Sequence, residues 1–317
     1  MPGRVLVTRR LPGGGLDPLV AAGHEVVQRP GDEAWSTAEL REAAGTVDGI
    51  VCLLTDRIDD SVLESGAAGR LQVVANVAVG YDNIDVAGAG RLGITVCNTP
   101  GVLDETTADL AFLLILSAAR LASEAESDFR GGRWPGWGIN QYLGRDVHGA
   151  VLGLVGYGRI ARAVARRTQG FAMEVRHHSR SDTGEPGWVA DLDELLATVD
   201  IVSLHVPLTD ATRHLIDGRR LGLLRPGAVL VNTARGPVVD EEALAGALES
   251  GALFAAGLDV YEREPEVSPR LLAAPRTVLL PHIGSATTTT RSTMAAMAAQ
   301  EVCDVLAGRA PRHPVTG

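Results

Sequence analysis

Short apolar runs recur along the chain, and each is bounded by glycine, proline or aspartate. They predict strands at 4–8, 49–54, 71–74, 94–97, 151–155, 173–176, 201–204, 228–231, 255–258 and 278–280. Segments of helical periodicity, such as 38–44, 160–168 and 241–250, separate most of these runs. Because a parallel crossover needs an intervening helix, the pattern predicts an α/β protein with two parallel sheets.

Segment 101–121 has the periodicity of one long helix, with acids in its first turns and Arg120 at its end. That charge order matches the helix dipole. The segment is apolar around too much of its circumference for a surface helix, so we expect it to be buried between domains or subunits. Four threonines at 287–290 precede a further apolar segment and predict the start of a helix.

Composition narrows the class of protein. The 317 residues correspond to two domains at about 150 residues each. All 29 basic residues are arginine. This excludes chemistry that depends on lysine, such as the Walker phosphate loop, the Schiff base of pyridoxal enzymes and aldolases, and the kinase strand lysine.

The net charge and the cysteines predict the binding partners and the cellular compartment of the protein. A formal net charge of −10 repels nucleic acid and anionic lipid, so we expect neither as a partner. The three cysteines lack any C-x-x-C spacing, which argues for a reducing compartment and against a disulfide framework or a zinc site. No signal peptide or membrane-spanning stretch is evident. We therefore expect a soluble, cytoplasmic protein without a metal.

A dinucleotide-binding turn follows the predicted strand 151–155. The sequence Gly-Tyr-Gly-Arg-Ile-Ala at 156–161 matches the G-x-G-x-x-G/A pattern in its strand-turn-helix context. Gly156 permits the tight turn, Gly158 lets a pyrophosphate approach the N–H groups of the helix start, and Ala161 allows close packing. The residues expected to face the cofactor here are Gly156, Tyr157, Gly158, Arg159 and Ile160.

The acid that usually binds the adenosine ribose is absent. Its place, about 20 residues further on, falls on Ser179, followed by Arg180 and Ser181. Two hydroxyls and a guanidinium can bind a 2′-phosphate that a carboxylate would repel. The sequence therefore favours NADP(H), with NAD(H) possible if Asp182 or Glu185 folds back toward the ribose.

Polar groups follow three predicted strands, in the segments 232–236, 257–265 and 281–284. Open α/β sheets bind ligands at the carboxyl ends of their strands. An arginine, a glutamate and a histidine brought there beside a nicotinamide would suit the reduction of a carbonyl group.

The chain resembles the D-isomer-specific 2-hydroxyacid dehydrogenases, and within them the glyoxylate/hydroxypyruvate reductases. The resemblance rests on segments 76–85 and 206–209, the turn at Gly156, and the three polar segments. It implies two Rossmann-like or flavodoxin-like α/β domains with parallel sheets and an active site in the cleft between them. The substrate-binding domain would be discontinuous, 1–98 plus 285–317, and the NAD(P)-binding domain would be 99–284.

The resemblance also implies residue roles. Arg235 would bind the carboxylate and carbonyl of a 2-oxo acid, and His282 would donate the proton. Glu264 would be the acid paired with the histidine, because the family's acid directly precedes a proline; Glu262 is the other candidate. Further residues are implied at the substrate (Leu54, and the backbone of Val79 and Gly80) and at the cofactor (Val206, Pro207, Thr233, Ala234, Asp259 and Gly284).

The expected activity is reduction of glyoxylate or hydroxypyruvate to the D-2-hydroxy acid with NAD(P)H. A D-3-phosphoglycerate dehydrogenase-like enzyme and a cofactor-sensing co-repressor remain alternatives. Formate dehydrogenase is disfavoured, since its histidine pairs with glutamine. The resemblance further implies a homodimer in which Trp134 and Trp137 contact the partner, although the same tryptophans could instead cover the cleft.

Overall fold

The computed structural model describes residues 2–29 and 31–316. The chain divides into two compact units. Unit 1 comprises Met1–Leu103 and Ser285–Gly317, and unit 2 comprises Asp104–Gly284. That the first unit binds the substrate stays a prediction.

Unit 1 is built on a six-stranded sheet of order β12-β5-β4-β3-β1-β2. Its strands are β1 (Arg4–Val7), β2 (Glu25–Gln28), β3 (Gly49–Cys52), β4 (Val73–Asn76), β5 (Thr95–Cys97) and β12 (Pro314–Val315). All are parallel except β12, which pairs antiparallel with β5. Sequence patterning missed β2, whose ends are polar and whose side chains are at most half-buried, and β12, which has only two residues.

The helices of unit 1 are α1 (Asp17–Ala21), α2 (Thr37–Ala44), α3 (Asp60–Ala68), α4 (Val86–Arg91) and α12 (Thr288–Leu306). The side chain of Thr287 accepts the N–H of Thr290 at 3.1 Å and caps α12. The predicted helix start at the threonine run is therefore confirmed. Buried Ala298 and Val302 of α12 belong to the apolar cluster beneath the sheet.

Unit 2 is built on a wholly parallel six-stranded sheet of order β11-β10-β9-β8-β6-β7. Its strands are β6 (Val151–Val155), β7 (Glu174–His178), β8 (Ile201–Leu204), β9 (Val229–Asn232), β10 (Ala255–Leu258) and β11 (Thr277–Leu279). The predicted α/β class with two largely parallel sheets is confirmed. The strand order reverses between β6 and β8, and ligands of open α/β sheets bind at such a switch point.

The helices of unit 2 cover this sheet. They are α5 (Asp104–Ala119), α6 (Ala122–Arg130), α7 (Arg159–Arg167), α8 (Leu192–Thr198), α9 (Gly218–Leu221), α10 (Glu241–Ser250) and α11 (Pro269–Ala273). Short 3₁₀ turns lie at Thr168–Phe171 and Gly236–Val238.

The long helix predicted over 101–121 is shorter than expected. Helix α5 ends at Ala119, Leu121 has a φ of 54°, and α6 begins at Ala122. The buried side chains of α5, including Leu114 and Ile115, belong to the core of unit 2 itself. Most of its apolar circumference is thus explained by burial within its own unit, whereas Leu113 is 51% exposed. Burial of α5 against another domain or a partner subunit stays a prediction.

No single helix in residues 2–29 and 31–316 is long and apolar enough to span a membrane. Helices α5 and α6 reach that length and composition only as a pair bent by 70°.

Candidate active site

The turn after β6 requires glycine at its first position. Gly156 has a φ of 87°, and a Cβ there would lie 2.6 Å from the carbonyl oxygen of His205. The backbone following β8 therefore lies directly against the turn. Gly158 caps α7 without a side-chain hydrogen bond, and the space where its Cβ would be is open. The start of α7 is thus open at Gly158, and N–H groups at a helix start suit an anionic group.

Side chains around this turn are held by stacking and ion pairs. The rings of Tyr157 and His177 stack at 3.7 Å with an interplanar angle of 9°. Arg159 bonds to Asp104 at 3.1 Å. His177 is fully buried, and among the described residues neither ring nitrogen has a hydrogen-bond partner. Burial lowers the pKa of His177 and favours the neutral ring.

The segment after β7 carries the residues predicted to select the cofactor. Ser179 follows the strand directly, and its Oγ donates to the Ser181 carbonyl oxygen at 2.8 Å. Arg180 is exposed. The two nearby carboxylates are engaged elsewhere, since Asp182 accepts the N–H of Gly184 at 2.8 Å and Glu185 pairs with Arg162.

A buried asparagine shapes the turn after β9. Asn232 donates from Nδ2 to the Arg235 carbonyl oxygen at 2.9 Å, and its Oδ1 accepts the N–H of Ala234 at 3.0 Å. Thr233 lies inside this turn, and among the described residues its buried Oγ1 has no partner. Val206 and Pro207 follow the neighbouring strand β8 at the same edge of the sheet.

The turn that carries Arg235 packs against the loop after β10. A Cβ on Gly236 would overlap the backbone of Tyr261, so only glycine fits there. The Arg235 side chain is half-buried, and its Nη1 donates to the Ala234 carbonyl oxygen at 2.8 Å. This close approach fixes the Arg235 turn beside the loop that contains Glu264.

Glu264 and His282 form a hydrogen-bonded pair. His282 Nδ1 lies 2.7 Å from Glu264 Oε2, while Oε1 accepts the N–H of Tyr261 at 2.9 Å. Burial acts to raise the pKa of Glu264, but the hydrogen bond and charge of His282, aided by Tyr261 and Arg235, hold it below its usual value. The carboxylate therefore stays ionised at neutral pH, accepts from Nδ1–H, and leaves Nε2 as the outward nitrogen.

Asp259 fixes the backbone on which His282 stands. Its carboxylate accepts the N–H of Ile283 at 2.7 Å and of Gly284 at 2.8 Å, and its carbonyl accepts the N–H of His282 at 2.9 Å. Burial raises the pKa of Asp259, although the two N–H groups and His282 act against it. His282 itself has a φ of 54°, a conformation that these bonds maintain.

A second histidine–carboxylate pair was missed at the sequence level. His214 Nε2 lies 2.9 Å from Glu262 Oε1. Glu262, the other candidate for the acid paired with His282, is thus bonded to a different histidine. No local signal links positions 214 and 262, since only the folded chain brings their loops together.

The remaining predicted residues lie in unit 1, on loops that follow its strands. Leu54 comes after β3, with 36% of its surface exposed. Val79 and Gly80 come after β4 and are half-buried. Nδ2 of Asn98 donates to the Val79 carbonyl oxygen at 2.8 Å.

A family model and individual relatives of known name both match this chain. Residues 112–284 match the family model described as D-isomer specific 2-hydroxyacid dehydrogenase, NAD binding domain. A glyoxylate reductase from Thermococcus litoralis is 41% identical over 99% of this chain and 97% of its own.

The chain belongs to the D-isomer specific 2-hydroxyacid dehydrogenase family.

Comparison with solved structures extends the likeness to the fold. A Thermus thermophilus protein is 44% identical, covers 99% of this chain and 100% of its own, and has a TM-score of 0.93. An NADPH-dependent glyoxylate/hydroxypyruvate reductase from Sinorhizobium meliloti, solved with NADP and malonate, is 34% identical over 99% and 97% of the two chains, with a TM-score of 0.87. This 2-hydroxyacid dehydrogenase is therefore an NAD(P)-dependent oxidoreductase.

The unit 2 residues of this dehydrogenase fit a nicotinamide dinucleotide. The open space at Gly158, at the uncapped N-terminus of α7, suits a pyrophosphate. The unpartnered Thr233 Oγ1 offers a hydrogen bond that the chain itself leaves unused. Both features lie at carboxyl ends of strands, where such cofactors bind.

Proposed function

We propose that this protein reduces glyoxylate and hydroxypyruvate to the corresponding D-2-hydroxy acids with NAD(P)H. The observation that carries the proposal is the pairing of His282 Nδ1 with Glu264 Oε2 at 2.7 Å, in the dinucleotide-binding unit of a 2-hydroxyacid dehydrogenase. Relatives at 41–45% identity are named glyoxylate reductases, which supports this substrate class over the alternatives.

The proton would come from His282. Because Glu264 accepts from Nδ1, a proton on Nε2 can pass to the carbonyl oxygen of the 2-oxo acid. A bound reduced nicotinamide supplies the hydride that adds to the carbonyl carbon. Arg235 would offset the negative charge that develops on the oxygen.

The substrate's carboxylate would be bound by two kinds of group. The planar guanidinium of Arg235 matches a carboxylate in shape and charge. The backbone N–H groups of the Val79–Gly80 loop would donate to it, and Leu54 would provide an apolar wall. Ser179, Arg180, Ser181, Val206, Pro207, Ala234 and Asp259 are proposed as further cofactor contacts.

A substrate panel tests the proposal. NADPH and NADH consumption would be measured with glyoxylate, hydroxypyruvate, pyruvate and phenylpyruvate, and NAD reduction with 3-phosphoglycerate. Highest kcat/KM with glyoxylate or hydroxypyruvate is expected. Preference for 3-phosphoglycerate would point to the phosphoglycerate dehydrogenase alternative, and negligible turnover with every compound to the co-repressor alternative.

We further propose that NADP(H) is preferred over NAD(H). The two carboxylates that could oppose a 2′-phosphate are engaged by Gly184 and by Arg162, and exposed Arg180 follows the strand beside two serines. The Sinorhizobium meliloti relative is described as NADPH-dependent.

Replacing Arg180 with alanine should lower the ratio of kcat/KM for NADPH to that for NADH by about 10- to 100-fold, because a charge-assisted hydrogen bond contributes about 1.5–3 kcal/mol. Steady-state kinetics with both cofactors would measure it. Arg176→Ala removes an arginine of the preceding strand β7, bonded to Glu174 at 2.7 Å, and should leave the ratio unchanged. A wild-type preference for NADH would refute the proposal.

We propose that the protein is a homodimer, because unit 2 exposes several large apolar side chains. Helix α6 and the segment after it expose large apolar side chains: Phe129, Trp134, Trp137, Ile139 and Leu143. Trp137 is 80% exposed. The rings of Phe129 and Trp134 lie 5.8 Å apart, and large exposed apolar surface typically marks a protein interface.

Trp137→Ala should raise the dimer dissociation constant about 30-fold or more, the effect of losing an aromatic anchor at an interface. Sedimentation velocity over a concentration series would measure it. Leu272→Ala, which removes another exposed apolar side chain elsewhere in unit 2, is the control. An unchanged tight dimer would rule out Trp137 as an anchor.

A cytoplasmic location and the absence of nucleic-acid and membrane partners are proposed as well. The three cysteines are buried and free, as in a reducing compartment. The net charge of −10 opposes binding to polyanions.

A further inference from the structure

One asparagine joins the two loops that carry the substrate-binding candidates of unit 1. Asn83 Nδ2 donates to the carbonyl oxygens of Leu53, at 3.1 Å, and of Asp56, at 2.9 Å. Its Oδ1 accepts from Asn76 Nδ2 at 3.0 Å. Both donors and the acceptor of one side-chain amide are therefore used, and two of these bonds enclose Leu54.

Asn76 links Asn83 to the Val79–Gly80 loop. It is fully buried at the end of β4, and its Nδ2 also donates to the Gly80 carbonyl oxygen at 2.9 Å. On the far side of the same loop, Asn98 Nδ2 donates to the Val79 carbonyl oxygen. Because C=O and N–H of a trans peptide point in opposite directions, fixing the Val79 carbonyl also fixes the direction of the Gly80 N–H.

The turn at Leu54 has its own anchor, independent of Asn83. The buried carboxylate of Asp56 accepts from Arg9 at 3.0 Å, from the N–H of Leu53 at 2.8 Å, and from Thr8. This turn can therefore keep its shape without Asn83. Backbone bonds also join this turn to the segment around Asn83, since the N–H of Ile58 donates to the Asn83 carbonyl oxygen at 2.9 Å and the N–H of Asp85 donates to the Ile58 carbonyl oxygen at 3.0 Å. What the Asn83 side chain adds is a direct link from the carbonyl oxygens of Leu53 and Asp56 to Asn76, which in turn donates to Gly80.

We propose that Asn83 is a positioning residue for the 2-oxo acid, which sets the spacing between the apolar side chain of Leu54 and the N–H groups of Val79 and Gly80. The proposal rests on the proposed function, in which these groups contact the substrate. A misplacement of about 1 Å in such a constellation can cost on the order of 100-fold in rate.

The test compares three variants. Asn83→Ala removes the side-chain link and leaves the backbone bonds, Asn98→Ala loosens the Val79–Gly80 loop alone, and Leu40→Ala removes a fully buried core side chain of α2. For each, KM and kcat with glyoxylate, the Kd of NADPH, the Tm, and amide hydrogen exchange of peptides covering 53–57 and 77–83 would be measured.

Asn83→Ala is expected to raise the KM for glyoxylate about 10-fold or more, with the Kd of NADPH unchanged and faster exchange in both peptides. Asn98→Ala should speed exchange in 77–83 only, and Leu40→Ala should lower the Tm without changing KM. An unchanged KM in Asn83→Ala, or faster exchange in one peptide only, overturns the proposal. Wild-type protein without turnover of any 2-oxo acid would instead refute the proposed function, and this inference with it.

Discussion

Replacing His282 with glutamine is expected to lower kcat with glyoxylate about 10²- to 10⁴-fold, the usual contribution of a general acid. Glutamine can still donate to Glu264 but cannot transfer a proton at neutral pH. The Kd of NADPH, measured by fluorescence titration, should stay within about 2-fold, because the side chain would act on the carbonyl oxygen and not on the cofactor.

The second histidine–carboxylate pair supplies a matched control for this experiment. His214 is bonded to Glu262 at 2.9 Å in the same unit but has no proposed part in proton transfer. His214→Gln should keep kcat within a few-fold of wild type. Near-normal turnover in His282→Gln would exclude His282 as the proton donor.

Replacing Arg235 with glutamine should lower kcat/KM for glyoxylate by about 10³-fold. The change removes both the binding of the substrate carboxylate and the stabilisation of charge on the carbonyl oxygen, and loss of a transition-state donor alone costs about 3–4 kcal/mol. Arg235→Lys keeps the charge but loses the planar pair of donors, so a smaller loss, with most of it in KM, is expected.

Arg263→Gln is the control for Arg235, because it removes an exposed arginine of the neighbouring loop. It should leave kcat/KM unchanged. Thermal unfolding of all three variants would show whether the fold is retained. If Arg235→Gln preserves the KM and kcat of wild type, Arg235 does not bind the substrate.

Structural features that depend on short stretches of sequence could be predicted from the sequence alone. The Gly156 turn, the helix cap at Thr287 and the strands of unit 2 each depend on residues within a few positions of one another. The pairing of Glu264 with His282 is present in the structure at 2.7 Å, but it was expected from family resemblance and not from spacing.

Contacts between distant segments could not be predicted in this way. The bonds from Asn83 to Leu53 and Asp56 join residues about 30 positions apart, and no periodicity marks them. The break in the long helix at Leu121 likewise has no glycine or proline to signal it. Such features are decided by tertiary packing, which overrides local propensity.

The proposed acid–base pair, the guanidinium and the dinucleotide turn are all encoded in one continuous stretch of chain, Asp104–Gly284. Leu54, Val79 and Gly80 are encoded outside it. With the substrate contacts proposed for Leu54, Val79 and Gly80, point changes in the first hundred codons would alter which acid is accepted, while the residues proposed for proton transfer and cofactor binding would be inherited unchanged.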